Sequence, residues 1–254
     1  MILIGIVIAW MAAGLARRYG WPPALRVEVA WIRVRPTVLA YLRRSPGTFA
    51  YLGVLTITTW VLLGLSDRVT NLLLLEHSTS LQQLRIDPVK VLIRSAFWAP
   101  GYEFLPWVVL FALVLAPAEY WLGTRRWVIV FASGHFLATI GSATALWFAI
   151  RYGWAAKELQ ETIDVGVSYG FAAVAAVFTF RLPSRWRWPW ATAILGVGLA
   201  ALLIGQSFTD VGHLVAIGIG FACYPLTKGA TVRSREATPI WSTGSAPSVG
   251  NGAW

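Results

Sequence analysis

The sequence predicts an all-α, polytopic helical membrane protein, and three observations carry that prediction. Hydrophobic residues make up 57% of the 254-residue chain, and the mean hydropathy is +0.63. Charged residues make up only 13%, against about a quarter in an ordinary soluble domain. The third observation is a series of apolar runs, several of them near the roughly 20 residues that a helix needs to cross a bilayer. Together they imply a single membrane domain.

The first run, residues 1–15 (MILIGIVIAWMAAGL), is followed by Arg17 and Arg18. A secretory signal carries its positive charge ahead of the apolar run. The segment therefore reads either as an additional N-terminal span with its start outside, or as a stretch lying at the interface. Residues 16–45 hold seven arginines and one glutamate, and Pro22, Pro23 and Pro36 are expected to break any long helix there. The next apolar run covers about 47–65. The mixed segment 66–103 alternates apolar and polar residues in short pieces, which predicts short helices against the membrane surface, with Trp98 and Tyr102 suited to the headgroup layer. Five further runs follow at 104–123, 127–150, 164–181, 189–207 and 209–226. The organisation read from this is a hydrophobic segment with a basic linker (1–45), a six-span membrane domain (46–227) and a Ser-, Thr- and Gly-rich tail (228–254) expected to be disordered.

Charge placement sets the orientation. Residues 16–45, the Arg125-Arg126 turn, the 181–188 turn and the tail together hold 15 Lys or Arg and, counting Glu119, three acids. The opposite set of connections holds six Lys or Arg and eight acids. Basic residues favour the cytoplasm, so the C-terminus is expected inside, with six spans or seven according to whether the first run crosses. The same placement explains the net charge of +10 without nucleic acid, since the bases do not gather on a polar domain. The one cysteine, Cys223, permits no intrachain disulfide, and no Cys/His cluster has metal-ligand spacing.

The chemistry-bearing residues crowd the outer ends of two runs. In TIDVGVSYG, Ser168 lies four residues below Asp164, about 6 Å at the helical rise of about 1.5 Å per residue. His213 lies three residues below Asp210 at the start of a later run, so the two sit at similar depth. Gly166 and Gly170 form one small-residue face, and Gly212, Ala216 and Gly220 form another. Such faces let helix backbones approach closely in lipid. A serine and an imidazole brought within hydrogen-bond distance form a nucleophile and its general base. The same residues also have plain structural roles: packing for the glycines, a bond to its own helix for the serine, a structural hydrogen bond for the histidine. A G-x-S-x-G nucleophile elbow is excluded, because it needs a strand before its helix. Asp164 and Asp210 suit helix N-termini. His135, mid-span, reads as an interhelical hydrogen-bond partner, and Glu119 as a partner of Arg125 or Arg126. A transporter would spread polar groups along a path through the bilayer, which this chain does not.

At these residues the chain resembles the rhomboid family of intramembrane serine proteases, particularly divergent actinobacterial rhomboid-like proteins. The resemblance covers roughly 46–227 and includes the six-span layout. It also includes Arg94 in DPVKVLIRSAFWAP, Glu119, Gly123 and Arg125 in APAEYWLGTRR, Gly166 and Ser168 of the GxSG pattern, and His213 in GHLVAIGIGF. It implies a bacterial plasma-membrane protein that cleaves membrane-anchored proteins near the outer face, with Ser168 as nucleophile, His213 as base and no cofactor or metal. Two departures stand out. Tyr169 follows the serine where the family has Gly, and Glu103 and Trp107 occupy about the places of a His-x-x-x-Asn pair that stabilises the oxyanion. Losing one such donor typically costs about 10²–10³ in rate. Glu103 is either solvated or a replacement for that donor; with Gly166, Tyr169 and Asp210 it completes the residues expected to line the site. The alternative function is a catalytically inactive rhomboid-like protein that binds transmembrane helices in quality control or assembly.

Overall fold

A computed structural model describes residues 21–99, 101, 104–165, 167–205 and 207–230, together with Met11, Gly14, Leu15, Arg18 and Tyr19. The expected N-terminal span, the tail beyond 230, Tyr102, Glu103 and Gly166 lie outside the described residues. All regular structure among the described residues is helical.

Helix α1, Pro22–Arg44, corrects the expectation that prolines would break this region. Pro22 and Pro23 stand in the first turn, where a backbone N–H has no intrahelical partner to lose. Pro36 lies inside the helix, which is exposed along most of its length and so has room to relieve the ring's clash with the preceding turn. Ser45 ends α1 and precedes α2, Pro46–Leu63; its hydroxyl donates to the Ala116 carbonyl at 2.6 Å.

The connection that follows does form short helices: α3, Asp67–Glu76; α4, Leu81–Ile86; and α5, Pro88–Ser95. Side chains tie it down. The Tyr51 hydroxyl donates to the Ala96 carbonyl, and the His77 and Trp98 rings pack tilted at 42° with centroids 4.8 Å apart. Helix α6, Phe104–Leu122, carries a π-helical stretch at Phe111–Leu115, and the sharp reversal at Gly123, with φ of 81°, leads into α7, Thr124–Arg151. After a 3₁₀ turn at Lys157–Glu161 come α8, Ser168–Phe178; α9, Ser184–Gly205; and α10, Phe208–Ala222.

Helices α2, α6, α7 and α9 are long and apolar enough to cross a membrane; α10 is apolar but shorter. The run expected to span from 164 is an 11-residue helix starting at Ser168, about 16 Å long. Its lead-in is irregular chain. Irregular backbone at membrane depth is tolerated where protein satisfies its polar groups, and here the 78–80 segment does so. The Asp164 N–H donates to Ser78 Oγ at 2.7 Å, and the Thr79 N–H donates to the Asp164 carbonyl at 2.8 Å. Helix α8 is the centre of the bundle, with Tyr169, Gly170 and Ala173 through Val177 buried. Phe111, Leu115, Val130, Val167, Val174 and Val177 form the most deeply buried part of the core around it.

Candidate functional site

Helices α8 and α10 run parallel and nearly touch, because small residues line the contact. A Cβ added at Gly220 would stand 2.2 Å from the Ala173 carbonyl oxygen, and one at Gly212 would stand 2.5 Å from the Tyr169 ring. Ala216 is buried beside Tyr169. The expected face on α10 is thus occupied as small residues in lipid permit. Its counterpart on α8 is different. Gly170 lies under the Phe131 ring of α7, where an added Cβ would come within 2.6 Å, so it admits α7 rather than α10. The α8 side facing α10 is built instead from Tyr169, Ala173 and Ala176.

This geometry decides which side chain meets His213. The Tyr169 and His213 rings pack edge to face, centroids 5.0 Å apart at 70°. Tyr169 is thus the residue whose ring packs on His213 in the first turn of α8, where Ser168 also stands. Ser168 is the first residue of α8, half-buried, at the end of the bundle where His213 occupies the second turn of α10. Among the described residues no hydrogen bond joins Ser168 to His213.

Asp164 is buried and does not cap α8; Val167 is the N-cap residue. Its Oδ2 accepts from the Tyr169 hydroxyl at 3.0 Å, and the Thr79 hydroxyl stands 3.0 Å from the same atom and 2.8 Å from the Asp164 carbonyl oxygen. The tyrosine is thereby held at both ends, by Asp164 at its hydroxyl and by Gly212 and His213 along its ring. Sequence reading did not identify Ser78 and Thr79 as part of this site. The signal available was a run of three hydroxyl residues, Ser78-Thr79-Ser80, all of them buried.

Asp210 does serve its helix N-terminus, as the reciprocal partner of Ser207 in a capping box. The Ser207 N–H and hydroxyl donate to Asp210 Oδ2 at 3.1 and 2.7 Å, and the Asp210 N–H donates to Ser207 Oγ at 3.2 Å. Trp107 packs edge-on against Phe171 of α8, ring centroids 5.6 Å apart. His135 behaves as expected of a structural partner: Nε2 lies 3.0 Å from the Leu92 carbonyl oxygen and 3.2 Å from Ser95 Oγ, fastening α5 to α7. Arg94 is exposed at the last turn of α5.

Glu119 is a correction. It pairs with neither Arg125 nor Arg126 but accepts from the Gly47 N–H at 2.9 Å, the Thr48 N–H at 2.6 Å and the Thr124 hydroxyl at 2.7 Å. The carboxylate supplies acceptors to the first turn of α2, where Ser45 makes no side-chain cap. Among the described residues no group of three or more His, Cys, Asp or Glu could hold a metal ion.

A family model described as "Rhomboid-like protein" matches residues 40–233. No curated protein and no solved structure matches the chain.

Proposed function

The chain belongs to the rhomboid-like protein family, and from that premise we propose that it binds transmembrane helices of client proteins without hydrolysing them. The observation that carries this reading is Tyr169. A serine nucleophile needs its base within about 2.6–3.2 Å of its hydroxyl. Here the ring of Tyr169 stands against His213, and its hydroxyl is committed to Asp164. Moving the ring aside would break that hydrogen bond and expose a buried carboxyl group. The lack of the family's His-x-x-x-Asn donors points the same way, since a hydrolase without an oxyanion site forfeits its largest single source of rate.

A second reading, an intramembrane serine protease using Ser168 and His213, is favoured by one observation. Ser168 opens α8, and the backbone N–H groups of a first helical turn have no intrahelical acceptors, so they could stabilise an oxyanion. Labelling of the purified full-length protein with a serine-reactive fluorophosphonate separates the two. The binding reading expects wild type and Ser168→Ala to show the same background. Labelling of wild type that is lost in both Ser168→Ala and His213→Ala establishes the protease instead. Under the binding reading, a photoreactive residue placed beside an intact Ser168 should crosslink full-length membrane clients in the bilayer, not their fragments.

A further inference from the structure

We propose that the end of the molecule opposite Ser168 and His213 is a binding site for the phosphate headgroup of an anionic phospholipid. Two clefts lie there, of about 290 and 530 Å³, and they share Trp121 and Arg181. The first is lined by Arg44 and Arg181 with Tyr41, Tyr120, Trp121 and Phe178. Into the second, Arg187 and Lys228 project beside Arg181, with Phe180 and Tyr224. Four cations thus converge from segments far apart in the chain: the end of α1, the turn after α8, the first turns of α9, and the residues after α10.

Among the described residues no acid lines the clefts beside them. The nearest acid in sequence to Trp121, Glu119, is used by Gly47, Thr48 and Thr124. Among the described residues none of the four cations has a carboxylate partner. Arg44 instead lies 5.4 Å from the centre of the Tyr120 ring. All four cations are exposed at this end of the bundle, within reach of a lipid headgroup. The guanidinium fork fits phosphate oxygens in pairs.

The walls select a lipid over a free anion. Tyr120, Trp121, Phe178 and Phe180 gain nothing from inorganic phosphate but can pack the glycerol and upper acyl region of a lipid held by its headgroup. Trp186 and Trp188 on the next turn are 57% and 74% exposed, as interfacial tryptophans are at headgroup level. Basic pockets between membrane helices are a known mode of anionic headgroup recognition.

The test uses the full-length protein in a mild detergent, titrated with phosphatidylglycerol, with phosphatidylcholine of the same acyl chains, or with sodium phosphate. Thermal unfolding and native mass spectrometry are the readouts. Phosphatidylglycerol should raise Tm and remain as a mass adduct, while phosphatidylcholine and sodium phosphate should do neither. Arg44→Gln and Arg181→Gln should each weaken the lipid response by about tenfold, Arg181→Lys by less, and Arg85→Gln, at the other end, not at all. If Arg181→Gln does not fold, the exposed Arg187→Gln takes its place. Equal responses to the two lipids, or arginine variants that bind as wild type does, overturn the proposal. So does an equal shift from sodium phosphate, which would mark a free-anion site.

Discussion

Tyr169 packs its ring on His213 and donates its hydroxyl to Asp164, so it links the start of α8 to both α10 and the preceding loop. That a bulky residue follows Ser168 can be read directly; which of the two faces α10 depends on where α8 begins, and that depends on hydroxyls about 85 residues away. Ser78 and Thr79 satisfy the Asp164 backbone and so keep the lead-in to α8 irregular. The interaction is testable at the level of single atoms. Tyr169→Phe deletes one donor to a buried carboxyl group and should destabilise the protein by about 1–3 kcal/mol. Thr79→Val should cost a similar amount. Because both hydroxyls address Asp164 Oδ2, the double variant should depart from additivity by about 0.5 kcal/mol or more. Unfolding equilibria in detergent measure all three. Additive losses would mean that the two hydroxyls act independently.

At the scale of elements, periodicity and small-residue spacing located the helices and the α8–α10 contact, and failed where a partner is nonlocal. The alternation in the mixed segment 66–103 predicts short helices, and its described residues contain α3, α4 and α5. The Gly212, Ala216 and Gly220 repeat was read as a close-packing face and is one. Gly170 looked equivalent by spacing, yet its neighbour is Phe131, because a glycine does not announce whether a backbone or a ring fills its empty side. Glu119 looked like the mate of nearby arginines, but the first turn of α2 takes its oxygens. The packing face predicts a sharp contrast within one helix. At Gly220 a methyl group would collide with Ala173 backbone, whereas at Gly218 it would meet nothing within 4 Å. Gly220→Ala should therefore cost at least about 1–3 kcal/mol by overpacking, and Gly218→Ala should leave stability unchanged or slightly raised. Tm measurements on the two variants decide it; equal effects would show that α8 and α10 are not in contact there.

For the whole molecule, the strongest information in the sequence is the distribution of charge between the two ends, and the folded chain gives that distribution a physical form. Segments grouped on one side by their arginines do meet: Arg44 and Arg181 line one cleft, Arg181, Arg187 and Lys228 another, and Arg126 donates to the Lys228 carbonyl at 3.2 Å. The acid-rich connections, including Lys157–Glu161 and the Asp164 loop, gather at the opposite end with Ser168 and His213. Basic connections are retained on the cytoplasmic side during insertion, so the end that carries the arginines is predicted to face the cytoplasm. The prediction is directional. Glu158 and Ser184 are exposed and belong to opposite ends. In a background where Cys223→Ser removes the native thiol, Glu158→Cys should react with a membrane-impermeant maleimide on intact cells, and Ser184→Cys only after permeabilisation. The reverse pattern would invert the molecule, putting the Tyr169–His213 contact at the cytoplasmic face and the basic clefts outside, away from the anionic lipids of the inner leaflet.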